Sequence, residues 1–576
     1  MTRLSRRTFI KTGLAGGAAL AGIGEVSVEW LNPAEAAAIY GTTLERTVMP
    51  VPVPVTSPKL LPTEVAQFAQ YGYGAWKVGA GIGYEKRLDL MPDNYTDALV
   101  TKSLQLARFF TISDIHITDK ESPAQAIYLG LKDGINSAYS AVMPYTTHVL
   151  DAAVQTINAF HKQSPIDFGI ALGDACNSSQ YNELRWYIDI LDGKEIIPSS
   201  GAHAGAGTID YQKPYRAVGL DQSIPWYQTL GNHDHFWMGT APVNDYLRQA
   251  YIGEEILNLG DVFRDPRGLD SRGFYMGTID GRTPYGAIIG LGPVADFSTP
   301  PKVVADPGRR SLSRQEWINE FFHTSTHPVG HGFNRANVEK DFACYSFAPK
   351  ADLPLKVIVL DDTQREDDAN TEGYKWHGAV DQKRYEWLVD ELDEGQAQGQ
   401  LMIIAAHIPI GVEKPGAFMS WWEHAYVSET ALFTKLHEYP NLLMWIAGHR
   451  HFNTVTAFKS PDPDRPELGF WQVETSSLRD FPQQFRMFEI VSNSDNTISI
   501  FTTNVDPSCD EQSLAAKSRS YAIAANQLVS NPAISSNPGL MLPTGAYNAE
   551  LVKQISAEMQ AKIKKLRNVR TSPSVQ

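Results

Sequence analysis

The chain has 576 residues, 43% of them hydrophobic and 20% charged, the composition of a soluble globular protein with more than one structural unit. A formal charge of -15 and a pI of about 5.5 argue against nonspecific affinity for a nucleic-acid backbone, although charge at a metal site can oppose the global sign and attract a small anion. Three widely spaced cysteines, Cys176, Cys344 and Cys509, permit at most one disulfide and contain no Cys-x-x-Cys pair, so disulfide scaffolds, zinc ribbons and thioredoxin-like redox sites are excluded.

Residues 1–38 look like a bacterial twin-arginine signal peptide. Arg6 and Arg7 precede a weakly apolar Gly/Ala-rich run from Thr12 to Gly24, and small residues at Ala34 and Ala36-Ala37-Ala38 provide a cleavage region. Glu25 and Glu29 interrupt that pattern. Such a signal implies export, already folded, by the twin-arginine machinery and a periplasmic or secreted mature protein. No Cys lies near the cleavage region to carry a lipid anchor, and no later stretch is long and apolar enough for a stable membrane span.

Residues 39–105 are rich in Pro, Gly and Tyr, with an extended Pro50-Val51-Pro52-Val53-Pro54 segment, and read as an N-terminal extension wrapped around the main domain. From residue 106 strands and helices alternate. A strand at 108–113 runs into Asp114, and a helix over 147–163 carries Val149, Leu150, Val154, Ile157 and Phe160 at helical spacing. A strand at 167–172 ends at Gly173-Asp174, a helix follows at 183–191, and a strand at 225–230 meets Gly231-Asn232. The interval from Asp234 to His407 is too long for one crossover, so 235–340 reads as an insertion capping the site, with a helix near 314–322 inside it. Strands are expected near 342–347 and 355–360, then at 401–405 and 442–447, which deliver His407 and Gly448-His449. Closing strands at 470–474, 485–491 and 497–503 complete the domain. Residues 506–576 read as a helical C-terminal extension ending in a basic helix near 557–567, a solvated face rather than a membrane or nucleic-acid contact.

Five short motifs therefore stand in order, each directly after a buried-type strand: Asp114-Ile115-His116, Gly173-Asp174, Gly231-Asn232-His233-Asp234, Ala406-His407 and Gly448-His449-Arg450-His451. In α/β architectures sites form at the carboxyl ends of strands, where loops carry the chemistry and the sheet holds them in place. Carboxylate, amide and imidazole donors suit hard-to-borderline cations, and a pair of adjacent cations needs a bridging carboxylate. Across about 108–455 this ordered set resembles the calcineurin-like metallophosphoesterase superfamily. No nucleophile elbow appears, which disfavours a Ser-His-Asp esterase.

The resemblance implies an α/β fold, a metallophosphatase-type sandwich of two mixed β-sheets flanked by helices over 106–505, with the cap insertion and both extensions added. It implies two divalent or trivalent metal ions, with Mn, Fe, Zn and Co all open. Asp114, His116, Asp174 and His451 would bind one; Asp174, Asn232, His407 and His449 would bind the other, with Asp174 as the bridge. The implied reaction is hydrolysis of a small phosphomonoester or phosphodiester by a metal-bridging hydroxide, the bound water being acidified toward pKa ~7. His233 would face the leaving-group oxygen as proton donor or electrostatic stabiliser, and Asp234 would hydrogen-bond its other ring nitrogen. Asn177 stands where purple acid phosphatases place a tyrosine, which rules out a tyrosinate-iron chromophore there. A non-catalytic metal-binding scaffold of the cell envelope is the alternative.

Other residues invite smaller expectations. His323, His327 and His331 recur at intervals of four, but Pro328 and Gly330 break any helix, leaving a cap loop in which His331 is either a plain loop residue or reaches the substrate. His235 either lines the pocket or is a plain neighbour. Cys176 reads as a buried small hydrophobe, and Gln180, Asn182 and Glu183 as supporting groups or a helix start.

Overall fold

Runs rich in Val, Ile, Phe and Trp form the frame, because their stiff or bulky side chains suit a buried pleated surface. A computed structural model describes residues 41–133, 137–262, 273–366, 376–413, 419–529 and 545–571; the expected signal, 1–38, lies outside them. In chain order the strands of the two large sheets are β1 (Glu85–Arg87), β2 (Lys102–Ile112), β3 (Phe168–Ala171), β4 (Trp226–Gln228), β5 (Tyr345–Phe347), β6 (Leu355–Val359) and β7 (Leu401–Ala405). They continue with β8 (Leu442–Ala447), β9 (Thr454–Phe458), β10 (Phe470–Glu474), β11 (Phe485–Asn493), β12 (Ile498–Val505) and β13 (Ala549–Lys553).

The seven-stranded sheet has the order β1-β13-β12-β11-β2-β3-β4, and the six-stranded sheet the order β5-β6-β7-β8-β10-β9. Both are mixed. β2, β3 and β4 run parallel, while β11 pairs antiparallel with both β2 and β12. In the second sheet β6, β7, β8 and β10 are parallel, and the edge strands β5 and β9 are antiparallel.

β3, β6, β7, β8 and β10 are buried at every position, as parallel strands covered on both faces must be. The period of two divides β6 and β7 between two cores. Val357, Val359, Leu401, Ile403 and Ala405 share the main core with Phe109, Phe168 and Phe488 of the other sheet. Ile358, Met402 and Ile404 turn the other way, toward Leu388 and Leu392 of helix Gln382–Ala397 and Leu432 and Leu436 of helix Glu429–Leu436. Phe109 stacks between Phe168 and Phe488, each at 4.7 Å between ring centroids, tying β2 to both neighbours. Two mixed sheets face to face with helices outside is the architecture that the resemblance implies.

The flanking segments are more deeply built in than their composition indicates. β13 lies in the part expected to be wholly helical. It pairs antiparallel with β12 and parallel with β1, and Leu551, Ile555, Met559 and Ile563 join the main core. The N-terminal segment packs on the C-terminal one: Gly74 N donates to Gln527 Oε1 at 2.8 Å and Trp76 Nε1 to Ser520 Oγ at 3.1 Å, both on helix Leu514–Val529.

Only part of the 235–340 region stands apart. Leu247, Tyr251, Leu257 and Met276 form a separate small core with Ala124, Trp237 and Met238. Further on, Leu312, Trp317, Ile318, Phe321 and Phe333 enter the main core. Trp226 N and Gln228 N of β4 donate to His327 O and His331 O at 2.9 and 3.0 Å, so this segment covers the open edge of the sheet. Among the described residues, no helix is long and apolar enough to cross a membrane.

Candidate metal centre

Each motif begins where a buried strand runs out. β2 ends at Ile112 before Asp114, β3 at Ala171 before Asp174, β4 at Gln228 before Asn232, β7 at Ala405 before His407, and β8 at Ala447 before His449. The backbone there turns unusually. Asp114, His116, Asp174, His449 and His451 all lie in the left-handed region, with φ of 49, 46, 52, 69 and 65°. Asp and His tolerate that region better than most residues, at ~1–3 kcal/mol each. The motif glycines answer a second constraint, close approach. A Cβ on Gly231 would overlap Asp174 Oδ1, one on Gly448 would overlap Ser113 Oγ, and one on Gly173 would stand 2.7 Å from His407 Nδ1.

The structure brings all seven predicted metal ligands together. His116 Nε2 lies 3.2 Å from His451 Nε2, 3.6 Å from Asp174 Oδ2 and 3.9 Å from Asp114 Oδ1, and His451 Nε2 is 3.3 Å from the same Asp114 oxygen. On the other side of Asp174, His407 Nε2 lies 3.2 Å from Asp174 Oδ2, 3.0 Å from Asn232 Oδ1 and 3.2 Å from His449 Nδ1. Asp174 Oδ2 thus stands between two donor sets. Asp114, His116, His407, His449, Asp174 and Asn232 are buried, and only His451 is partly exposed.

These donors are of a kind and spacing that could hold metal. Two ligand atoms bound at ~2.0–2.2 Å to one ion lie about 3.0–4.0 Å apart, depending on the angle between them, and the separations here run from 3.0 to 3.9 Å. Protonation supports the same reading. Burial pushes the Asp114 and Asp174 carboxyls up, yet His451 and His407 respectively hold them below the usual range. Burial in turn opposes charge on His407, but Asp174 and Asp114 raise it to about 10; His451 is likewise raised to about 10 by Asp114 and Asp480. His116 and His449 are pushed well below the ordinary histidine range, first by burial. Two buried carboxylates require neighbouring positive charge, which a metal bound by these donors would supply.

Three orienting contacts hold two of the rings and the Asn232 amide. His407 Nδ1 donates to Leu172 O at 2.7 Å, His451 Nδ1 to Asp480 Oδ2 at 2.8 Å, and Asn232 Nδ2 to Gly239 O at 2.9 Å. Such partners fix the tautomer and aim the free donor atom at the cation. His116 Nδ1 and His449 Nε2 have no hydrogen-bond partner among the described residues.

His233 lies within the same cluster, near His116 and Asp174, with the His116 and His233 rings edge to face at 4.5 Å. Its backbone N donates to Asp174 Oδ1 at 2.8 Å, and its Nδ1 to Asn177 O at 2.6 Å. The expected role of Asp234 is corrected by this contact. The Asn177 carbonyl, not Asp234, holds the His233 ring. The Asp234 carboxylate is spent on backbone: Oδ2 accepts from Asp174 N at 3.0 Å and Gly231 N at 2.8 Å, and Oδ1 from Cys176 N at 3.1 Å. Its pKa is raised by burial and by the Asp174 charge. Asp234 therefore clamps the Gly173-Asp174 turn to the Gly231-Asn232 turn.

The remaining candidates are structural. His331 is buried, stacks on Trp226 at 3.5 Å, and bonds Trp226 O and Thr324 Oγ1, so it does not reach the metal-donor cluster. His235 is a buried neighbour, bonding Glu366 Oε1 at 2.9 Å and Thr363 Oγ1 at 3.1 Å. Cys176 is buried, with its thiol pushed well up by burial. Glu183 supports the site, accepting from Asp119 N, Asn177 N and Ser178 N at 2.8, 3.1 and 2.9 Å. Asp480 and the Asn177 carbonyl are the contacts that motif reading missed.

No family model and no curated protein matches the chain. Among solved structures it is similar to a dimetal phosphatase from Danio rerio at 11% identity and a TM-score of 0.37, over 70% of this chain and 100% of that one. It is also similar to the Thermus thermophilus sulfate thiohydrolase SoxB, in complex with glycerol, at 11% identity and a TM-score of 0.28, over 75% of this chain and 62% of that one.

Proposed function

We propose that this chain is a dinuclear metal-dependent hydrolase of the calcineurin-like metallophosphoesterase type, acting on phosphoric ester bonds. The observation that carries the reading is the convergence of seven O and N donors from both sheets into two sets sharing Asp174 Oδ2, with spacings of 3.0–3.9 Å. Asp114, His116, Asp174 and His451 would hold one cation, and Asp174, Asn232, His407 and His449 the other. A pair of cations so held supplies Lewis acidity toward the phosphoryl oxygens and an acidified water as nucleophile.

The chain's own groups do the rest. Asp480 and the Leu172 carbonyl keep the inward nitrogens of His451 and His407 on target. The Asn177 carbonyl pins His233 Nδ1, leaving Nε2 as the titrating position. Burial favours the neutral His233 ring, and an anionic phosphoryl group beside it would favour the imidazolium. The Nε2 proton would then pass to the leaving-group oxygen. Arg6 and Arg7 support the further proposal that the protein works in the cell envelope after twin-arginine export.

The test is a panel of chromogenic phosphate mono- and diesters with Mn, Fe, Zn or Co added, together with metal analysis. Metal-dependent turnover with two ions per chain is expected. Bound metal with no turnover on any ester would instead favour the scaffold. Replacing Arg6 and Arg7 by Lys should abolish export; unchanged export would refute the signal assignment.

A further inference from the structure

Four arginines are among the largest fully buried side chains, and three have ordinary structural employment. Arg309 bonds Asp119, Ser200 and the Val304 carbonyl; Arg384 bonds Asp381 and the carbonyls of Asp361 and Thr363; Arg486 bonds Thr502, Asn453 and the carbonyls of Glu474 and Tyr547. Arg479 differs. It is 1% exposed, and its Nε, Nη1 and Nη2 all lack a hydrogen-bond partner among the described residues. Of the two acids whose charge reaches it, Asp480 accepts from His451 and Glu183 from three backbone N–H groups.

Arg479 is also firmly placed. Its backbone N donates to Ser477 Oγ at 2.9 Å, and its carbonyl accepts from Gln483 Nε2 at 2.8 Å. The Ser477 hydroxyl in turn donates to Asp114 O at 2.7 Å, tying this turn to the first metal motif. Arg479 N also reaches Asp114 O at 3.4 Å, and the next residue, Asp480, holds His451, so the turn that carries the guanidinium adjoins the metal-donor cluster. An unpaired buried guanidinium costs several kcal/mol, and a native protein keeps such a group where something outside the chain completes it. The planar fork of five donors matches a tetrahedral oxyanion, which it can grip through two oxygens.

We propose that Arg479 is the anion receptor of this site and binds the non-reacting oxygens of a terminal phosphoryl group. The inference rests on the hydrolase reading above and narrows its substrate class. A buried, fixed positive charge beside the metal donors favours a phosphomonoester dianion. A diester carries one charge fewer.

The experiment uses the metal-loaded full chain and inorganic phosphate as probe, read by calorimetric titration and by the thermal midpoint. Phosphate should bind the wild type and raise its midpoint. Arg479→Gln should weaken phosphate at least tenfold with both metals retained, and Arg479→Lys should recover part of that loss. Because the guanidinium has no hydrogen-bond partner to lose among the described residues, neither variant should melt below the phosphate-free wild type. For aryl substrates, Arg479→Gln should also lower the monoester-to-diester ratio of kcat/KM at least tenfold. Wild type that does not bind phosphate, or Arg479→Gln with phosphate affinity within twofold of wild type, would overturn the proposal. Phosphate binding that depends on Arg479 in a protein that hydrolyses no ester would sink the hydrolase reading and leave the receptor standing. Metal-dependent hydrolysis indifferent to Arg479 would do the reverse.

Discussion

Asp234 offers the sharpest test of how the site is assembled, because motif reading and structure give it different work. Its carboxylate takes three backbone N–H groups, from Asp174, Gly231 and Cys176, at 2.8 to 3.1 Å. Asp234→Ala leaves all three donors buried and unpaired, at ~1–3 kcal/mol each. Water entering the vacated space recovers some of that, so a net loss of about 3–6 kcal/mol is expected. This is a large share of the ~5–15 kcal/mol that keeps a domain folded. The orphaned groups belong to the turns presenting Asp174 and Asn232, so metal content should fall together with stability. Urea denaturation followed by tryptophan fluorescence, with metal analysis of the same samples, measures both. His233→Ala is the control: its midpoint and metals should stay near wild type while turnover drops ~10²–10⁴-fold. If Asp234→Ala unfolds like wild type, keeps both metals and only loses turnover, the carboxylate acts through His233 and the clamp is wrong.

Gly239→Ala should damage the same site from a position outside any motif. Its φ is +66°, and a Cβ there would overlap the His233 ring and approach Asn232 Nδ2 to 2.6 Å, so kcat should fall at least tenfold; an unchanged kcat would show that the ring has room to move. Chelation should abolish hydrolysis and lower the thermal midpoint, both restored by re-adding metal, since a ligand bound only by the folded chain stabilises it by RT ln(1 + [L]/Kd). A midpoint unaffected by saturating chelator would show that the two donor sets hold no metal. Lys553 makes a pH prediction far from the site. It is fully buried against the Glu467 and Gly469 carbonyls, and burial lowers its pKa to about 7. Between pH 7 and about 10 the unfolded lysine keeps a proton that the folded one has shed, so stability rises with pH by up to ~1.4 kcal/mol per unit from this group. Lys553→Met should flatten that rise in urea midpoints at pH 7, 8 and 9; equal slopes would refute the assignment.

The elements nearest the site were the most legible. β7 and β8 lie where their apolar runs predict, because a strand buried on both faces is mostly apolar; β10 was also legible, although Gln472 and Glu474 are buried in it. β1 and β13 left no such mark. Glu85-Lys86-Arg87 is wholly charged and edges the sheet, and Ala549–Lys553 is five residues of mixed character between segments that read as helix. Their pairing is a tertiary fact. The supporting residues were missed for another reason. Asp480 and Arg479 belong to no motif, yet they follow β10, which is parallel to β8. The rule that sites gather at the carboxyl ends of parallel strands, applied to 470–474 as it was to 442–447, points into this turn.

Why the motifs have the letters they do follows from the backbone as much as from metal chemistry. Five of the seven proposed ligands sit at positive φ, at a combined cost on the order of 5–15 kcal/mol if nothing compensates. That matches the whole stability of a typical domain. The surroundings must therefore over-determine these turns, and the clamp at Asp234 and the anchor at Ser477 are two visible means. A glutamate could donate the same oxygen as Asp114 or Asp174, but it tolerates left-handed backbone less well and reaches one bond further. Aspartate and histidine combine donor atoms with that tolerance, and glycine admits the close approach between turns. A search for donor chemistry alone would accept Glu at these positions; the turns that carry them would not.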